Sequence, residues 1–216
     1  PPLGELSAKQ TEGAIVKAVL HDSPIEFPLL QTGLHWGLNS LCVLLVLEAM
    51  EVDLDTAIAA LSEFAPLAGR GAEKSVSIDG GEFTLVDESY NANPISMAAA
   101  FKSLGARRAE GRRIVALTDM LELGPDGPAF HAALAEPIEA ANVDLVFCAG
   151  PQMKSLWEAL PATRRGAYAD DAASLTPLVK AAVEPGDVVM VKGSNGSRAG
   201  AIAAALAALD RTGADA

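Results

Sequence analysis

The sequence predicts an α/β fold with a mostly parallel sheet flanked by helices, preceded by an incomplete second domain. Two observations support this prediction. From Val76 onward, short apolar runs typical of buried strands alternate with helical patterns, which is the rhythm of a parallel sheet covered by helices. Before Pro66, the chain shows one hairpin pattern followed by two helical patterns and no further strand rhythm.

The composition indicates a folded, acidic protein. Of the 216 residues, 50% are hydrophobic, and the formal net charge is −12. A surface of this charge repels nucleic-acid phosphates and anionic lipid headgroups, so we expect neither nucleic acid nor a membrane as a partner. There is no signal-peptide pattern and no apolar run of bilayer-spanning length. Cys42 and Cys148 lie in apolar runs that predict buried free thiols, as in a cytoplasmic protein.

The first part of the chain predicts a hairpin and two helices. Strands are expected at Ala14–Leu20 and Ile25–Leu29, and a lone hairpin is marginal in water, so we expect a domain that is truncated upstream. The run Asn39–Met50 predicts a buried helix, and a second helix through Phe64 would be capped by Asp53 or Asp55. The stretch 66–71, rich in Pro and Gly, marks the predicted boundary between domains 1–71 and 72–216, and Gly69-Arg70-Gly71 within it is expected to be a hinge.

The second domain carries the α/β rhythm. The predicted strands are Val76–Ile78, Phe83–Asp87, Ile114–Thr118, Leu145–Cys148, a weak one at Ala167–Tyr168, and Val188–Val191. The predicted helices are Pro94–Leu104, Pro128–Ala140, Met153–Leu160, Ala172–Val183 and Arg198–Leu209. Ligands of such folds collect at the carboxyl ends of the strands.

Three of these strand ends are unusually polar. Asp87–Pro94 contains two carboxylates, a phenol and two amides, more than turn and capping chemistry needs. Asp119–Gly124 places an acidic residue directly after a strand, where it could bind a cation or an amine. Lys192–Arg198 opens the last helix with glycines and small polar groups, which favours an anion site over a flexible cap.

Several well-known site motifs are missing from the sequence. No lysine follows a glycine, so the chain lacks a phosphate-binding loop of the G-x-x-x-x-G-K-[ST] type, and it also lacks G-x-G-x-x-G and G-x-S-x-G. The three histidines are too dispersed to suggest a zinc site. Upstream, Asn39 near His35 could read a purine edge or cap a helix, and Arg70 could contact a phosphate or ribose or lie in solvent.

Taken together, these segments resemble the Mur ligase family, and within it the members that add D-alanyl-D-alanine (MurF-type). The strings that carry the resemblance are Gly33-x-His35-Trp36-x-x-Asn39-Ser40, Leu67-x-Gly69-Arg70-Gly71, Asp87-Glu88-Ser89-Tyr90-Asn91-Ala92-Asn93-Pro94, Asp119-Met120-Leu121-Glu122-Leu123-Gly124 and Val191-Lys192-Gly193-Ser194. Their order and spacing match from about Ala14 to Leu209.

The resemblance implies a domain organisation. Residues 1–71 would be the C-terminal part of a central ATPase domain, and residues 72–216 a complete Rossmann-like C-terminal domain that holds the incoming amino acid or dipeptide. The family's phosphate loop, metal ligands and modified lysine would lie upstream, so the resemblance assigns no catalytic and no metal-binding residue here. Mg²⁺ would be held outside this chain.

The resemblance also implies site residues. Asn39, with His35 nearby, would contact adenine, although Trp36 stands where many relatives have Asn. Arg70 would reach the nucleotide, and Asp87, or Glu88 in another register, would contact the ribose. The residues expected on the dipeptide side are Tyr90, Asn91, Asn93, Asp119, Lys192 and Ser194.

The implied reaction is ATP-dependent amide-bond formation in peptidoglycan biosynthesis. ATP would convert the carboxylate of UDP-N-acetylmuramoyl-tripeptide to an acyl phosphate, and the amine of D-Ala-D-Ala would attack it, so the protein mainly positions groups and neutralises charge. This chain alone is expected to be inactive. The alternatives are a related glutamate-adding enzyme of the folylpolyglutamate synthase type, or a non-catalytic Rossmann-like docking module.

Overall fold

In the computed structural model, residue contacts divide the chain into two units, Pro1–Leu67 and Ala68–Ala216. The structure describes residues 6–7, 14–30, 34–64 and 69–211. The division falls a few residues before the predicted domain boundary at Gly71. None of the helices in the described ranges combines the length and hydropathy needed to cross a bilayer.

The first unit contains an antiparallel sheet in the order β1-β2-β3, formed by Leu6–Ser7, Ala14–Leu20 and Ser23–Leu29. The predicted hairpin is confirmed, and its turn is shorter than expected. Only His21 and Asp22 connect the strands, both at positive φ (45° and 64°), as a primed two-residue turn requires. The strand β1 was not predicted, because two residues are too few to show a period.

Two helices complete the first unit, α1 (Leu34–Ala49) and α2 (Leu54–Ser62). Asp53 caps α2 by accepting from Thr56 N at 3.0 Å, which settles the choice between Asp53 and Asp55. The prediction that α1 is buried is wrong, because Leu44 is buried whereas Val43 and Val46 on another face are exposed. Cys42 is also exposed, contrary to prediction, because it lies on that outer face.

The second unit is built on a six-stranded sheet in the order β4-β5-β9-β6-β7-β8. Its strands are β4 (Ala72–Ile78), β5 (Gly81–Glu88), β6 (Arg113–Thr118), β7 (Leu145–Ala149), β8 (Arg165–Ala169) and β9 (Val188–Lys192). Only the edge strand β4 is antiparallel to its neighbour. The predicted mostly parallel sheet is therefore confirmed.

Helices cover both faces of this sheet. They are α3 (Pro94–Ala106), α4 (Gly127–Ala132), α5 (Ala135–Ala140), α6 (Met153–Ala159), α7 (Ala172–Ala182) and α8 (Ala199–Ala207). The single helix predicted over Pro128–Ala140 is wrong. It is divided between α4 and α5 because Pro137 lacks the N–H that would bond to the carbonyl of Ala133, and the division places Pro137 in the first turn of α5, where no N–H is needed.

Side chains alternate across the sheet into two cores. Val86, Leu117 and Met190 pack with α3, α5 and α6 on one face, and Leu85, Ile114 and Val191 pack with α7 and α8 on the other. Because strands β5 to β9 run parallel, their carboxyl ends share one edge, called here the carboxyl edge.

Candidate functional site

The three polar loops predicted from the sequence follow adjacent strands. They begin after Glu88 of β5, Lys192 of β9 and Thr118 of β6, and these strands are neighbours in the order β5-β9-β6. The sheet therefore brings residues that are about 100 positions apart in sequence to one stretch of the carboxyl edge.

Asp87 lies at the end of β5 and accepts several hydrogen bonds from its own surroundings. Its Oδ2 accepts from Gly69 N at 3.0 Å, and its Oδ1 accepts from Ser89 N at 3.1 Å and Ser89 Oγ at 2.5 Å. These bonds fix the orientation of the carboxylate and leave it half-buried.

The Gly69–Gly71 stretch is tied to the end of β5. Tyr90 N donates to Gly69 O at 3.0 Å and Gly71 N donates to Asp87 O at 2.8 Å. A side chain at Gly69 would meet Tyr90 at 3.0 Å and would require a strained φ of +76°, so the close approach depends on glycine. These bonds hold residues 69–71 against β5, and the hinge expected there stays a prediction.

The Arg70 guanidinium lies over the ring of Tyr90, 4.3 Å from the ring centroid. Both residues are exposed, so the cation–π contact lies at the surface of the carboxyl edge. Arg70 is thus held near Asp87 by its backbone and near Tyr90 by its side chain.

Lys192 ends β9 and is buried, with 2% of its surface exposed. Its Nζ donates to Asn91 O at 2.8 Å and lies 3.6 Å from the Glu88 carboxylate. Burial lowers the pKa of Lys192, and the charge and hydrogen bond of Glu88 oppose that shift. The ammonium therefore points into the protein.

Asn93 caps helix α3. Its Oδ1 accepts from Ser96 N at 2.8 Å, and Asn93 N donates back to Ser96 Oγ at 3.0 Å, which completes a capping box. Asn91 and Asn93 are both exposed, but the side-chain oxygen of Asn93 is occupied by this local structure.

Asp119 follows β6 and is buried at 5% exposure. Its carboxylate accepts from Gln152 N at 3.3 Å and from Met153 N at 2.8 Å, at the start of α6. A Cβ at Gly150 would lie 2.5 Å from the Asp119 carboxyl carbon, so the loop after β7 closes tightly over this carboxylate. The contacts give Asp119 a structural part in joining β6 to α6.

The side chains of His131 and Ser194 hold the loop after β6, a pairing that the sequence did not predict. His131 Nε2 accepts from Met120 N at 2.9 Å, while His131 Nδ1 lies 2.6 Å from Gly127 O, which places the ring proton on Nδ1. Ser194 Oγ accepts from Leu121 N at 3.0 Å. His131 carried no sequence signal, because its partner is a backbone group.

A cleft of about 430 Å³ opens beside this edge in the second unit. Asp87, Ser89, Tyr90 and Asn195 contribute polar groups to its lining, and the remaining lining comes from Gly69, from residues of β4 and β5 that include Glu73 and Lys74, and from small residues of α8. The docking-module alternative predicts that both Asp87 and Lys192 lie far from any cleft; Asp87 lines this cleft and Lys192 does not, so only half of that expectation is contradicted.

The predicted adenine contacts lie in the first unit. Asn39 is exposed on α1, and Trp36 is half-buried and packs against the core of that unit. The side chain of His35 lies outside the described residues. Within residues 14–30, 34–64 and 69–211, no group of three or more His, Cys, Asp or Glu side chains is arranged to hold a metal ion.

Comparison with known proteins identifies relatives of this chain. Residues 75–195, more than half of the chain, match the family described as Mur ligase, glutamate ligase domain. A protein of Mycobacterium tuberculosis strain H37Rv named UDP-N-acetylmuramoyl-tripeptide–D-alanyl-D-alanine ligase is 31% identical over 214 residues. That match covers 89% of this chain and 42% of the relative, so this chain spans less than half of the relative's length.

Solved structures show the same fold. A MurF ligase from Thermotoga maritima in complex with ADP superposes with a TM-score of 0.73 at 20% identity, covering 96% of this chain and 46% of that one. A MurF from Acinetobacter baumannii gives a TM-score of 0.78 at 21% identity, covering 91% of this chain and 43% of that one. At such identities the likeness establishes the architecture alone.

Proposed function

This chain belongs to the Mur ligase family, and from that premise we propose that it is part of an ATP-dependent ligase that joins D-alanyl-D-alanine to UDP-N-acetylmuramoyl-tripeptide. The observation that carries the proposal is the meeting of three loops at one edge of the sheet, with the fixed Asp87 carboxylate in the lining of a cleft. The name of the Mycobacterium tuberculosis relative supports the choice of dipeptide over a single amino acid.

On the nucleotide side, we propose that Asp87 rather than Glu88 meets the ribose of ATP. Asp87 lines the cleft with a fixed carboxylate, whereas Glu88 is turned toward Lys192. Arg70, held over Tyr90 at the same edge, would meet a phosphate or the ribose, and its planar donors suit an anion. Asn39 and His35 would contact the adenine.

On the dipeptide side, we propose that Tyr90, Asn91 and Ser194 face the acceptor. Asn91 and Tyr90 are exposed, and the Ser194 hydroxyl, which accepts from Leu121 N, still has its own proton to donate. Asn93 and Asp119 would support this surface indirectly, because a helix cap and the start of α6 already occupy their side-chain oxygens.

The reaction implied by this proposal needs ATP and Mg²⁺. When bound, Mg²⁺ would neutralise phosphate charge. Among the described residues, no group of three or more His, Cys, Asp or Glu side chains is arranged to hold it. The residues of this chain would orient the nucleotide and the amine of the dipeptide, and such positioning lowers the barrier of a bimolecular step. We place this activity in the cytoplasm.

The proposal can be tested by titrating the isotopically labelled chain with D-Ala-D-Ala and following its backbone amides by NMR. We expect shifts at Tyr90, Asn91 and Ser194, and none with L-Ala-L-Ala, the matched stereochemical control. A preference for L-Glu or D-Glu would instead favour the glutamate-adding alternative. The absence of amide shifts with any of these ligands would overturn the ligase proposal.

An activity measurement complements this titration. With ATP, UDP-N-acetylmuramoyl-tripeptide and D-Ala-D-Ala together, we expect the purified chain to release no phosphate, because no lysine in it follows a glycine to form a phosphate loop. Steady phosphate release would contradict this expectation.

A further inference from the structure

The side chain of Lys192 lies in a position unlike that of a ligand-binding lysine. It belongs to the carboxyl edge, where ligands collect, yet only 3% of the side chain is exposed. A flexible lysine that grips a substrate carboxylate normally has its ammonium in solvent or in a cleft. Lys192 is not among the residues that line the cleft in this unit.

The contacts of Lys192 instead cross from one strand to the loop of another. Lys192 and Glu88 are register partners in the parallel pairing of β9 with β5. From this position the ammonium reaches past Glu88 to the carbonyl of Asn91, at 2.8 Å, in the loop that follows β5. A buried ammonium donates strongly, so this bond is a firm tie between the two elements.

The loop 88–93 is held in three places. Tyr90 N donates to Gly69 O, the Asn93 capping box fixes the start of α3, and Lys192 holds the middle through Asn91. The exposed side chains of Tyr90 and Asn91 project from the segment between these ties. Their placement therefore depends on the length and charge of residue 192.

We propose that Lys192 is a positioning residue that sets the 88–93 loop through Asn91 and Glu88 and does not itself contact the dipeptide. The inference rests on the proposed function, because it assigns this loop to the dipeptide side. It revises the expectation that Lys192 is a substrate ligand, and it gives a reason for a lysine here. An apolar side chain would leave both the Asn91 carbonyl and the Glu88 carboxylate without their partner.

The most informative test separates the contribution of the dipeptide's carboxylate to the affinity from that of the rest of the dipeptide. The affinities of D-Ala-D-Ala and of its C-terminal amide are compared by NMR titration in the wild-type chain, Lys192→Met and Glu88→Gln. If Lys192 only positions the loop, we expect Lys192→Met to weaken both ligands about tenfold, as the loss of one charge-assisted hydrogen bond would. The ratio of the two affinities should stay unchanged.

The Glu88→Gln variant distinguishes the two roles, because they predict opposite changes in the affinity for D-Ala-D-Ala. Positioning predicts that both ligands weaken by roughly threefold, with shifted amides in 89–93 even before ligand is added. A direct ligand role predicts that Lys192, freed from Glu88, binds the dipeptide carboxylate more tightly than it binds the amide. This variant also covers the case in which Lys192→Met fails to fold.

Lys180→Met serves as the matched control, because Lys180 is an exposed lysine in the last turn of α7. We expect it to change neither affinity. A changed ratio in Lys192→Met or Glu88→Gln would overturn the inference while the proposed function stands, and so would unchanged loop amides. A wild-type chain that binds neither ligand would overturn the proposed function, and the inference with it.

Discussion

The two ends of strand β9 carry two buried charges in different surroundings. At the amino end, Asp187 is 2% exposed and accepts from Arg112 N, Nε and Nη2 and from Glu184 N, at 2.7–3.1 Å. At the carboxyl end, Lys192 is equally buried but makes one short hydrogen bond and one longer ion pair. The dense hydrogen bonding at the amino end stabilises the fold, whereas the single tie at the carboxyl end holds a loop in place.

The largest expected effect comes from removing the Asp187 carboxylate, whose oxygens accept four hydrogen bonds. Asp187→Ala leaves the guanidinium of Arg112 and the Glu184 N–H without their acceptor, and we expect it to lower the free energy of unfolding by about 3–5 kcal/mol. Urea denaturation at neutral pH measures the change. Glu184→Gln is the control, because its carboxylate lies 3.3 Å from the same guanidinium but is 70% exposed. Similar losses of stability in both variants would contradict the view that the buried Asp187 carboxylate is the stabilising group at this end of β9.

The carboxyl edge also has a tightly packed part, at Gly150. Its φ is +112° and a Cβ would lie 2.5 Å from the Asp119 carboxyl carbon, so Gly150→Ala should cost roughly 2–3 kcal/mol of unfolding free energy through strain and a displaced carboxylate. Gly124→Ala is the matched control, with a positive φ but open space around it, and should cost only about 1 kcal/mol. Equal costs would indicate that the Gly150 loop yields easily.

A further effect should appear in the pH dependence of stability. Burial raises the pKa of Asp187, but the hydrogen bonds from Arg112 and Glu184 outweigh it, so the folded-state pKa lies below the ordinary value. The associated stability is present above the unfolded pKa of about 4 and is lost as the pH falls through the folded value. We expect Asp187→Asn to flatten the acid limb of a stability–pH curve. An unchanged acid limb would show that carboxylates other than Asp187 cause the loss of stability at low pH.

The smallest expected effect is at the exposed Arg70–Tyr90 contact. Arg70→Ala should change the free energy of unfolding by about 0.5 kcal/mol, as surface cation–π contacts do. It should nevertheless abolish any amide shifts that ADP causes at the carboxyl edge. Arg108→Ala, which removes another exposed arginine of the same unit, should leave those shifts intact.

The fold could be predicted from local patterns wherever the apolar period was long enough. Strands such as β6 and β9 were placed within one residue, because every side chain in them except the first of β6 is buried. The same patterns failed at α1, where an apolar sequence is buried on one face only, and at α4 and α5, where a single proline decides the division. Periodicity does not tell which faces are covered.

The position of the candidate site could be predicted, but the partners of its side chains could not. Polar residues directly after buried strands predicted three loops at strand ends, and the structure brings these loops to one edge because parallel strands share it. The bond from Met153 N to Asp119, the bond from Leu121 N to Ser194 and the tie from Lys192 to Asn91 all join segments distant in sequence. Such pairings depend on the packed structure, and no local signal contains them.

The two thiols have a practical consequence. Cys148 is buried in the sheet, and burial raises the pKa of its thiol, so it should resist alkylation, whereas Cys42 is exposed on α1. A maleimide dye should therefore label the natural sequence at one position, without mutagenesis. Trp157 lies in the other unit, whereas Trp36 lies on the same helix as Cys42. Once Trp36 is replaced by phenylalanine, energy transfer from Trp157 to a dye at Cys42 would measure the distance between the two units in solution.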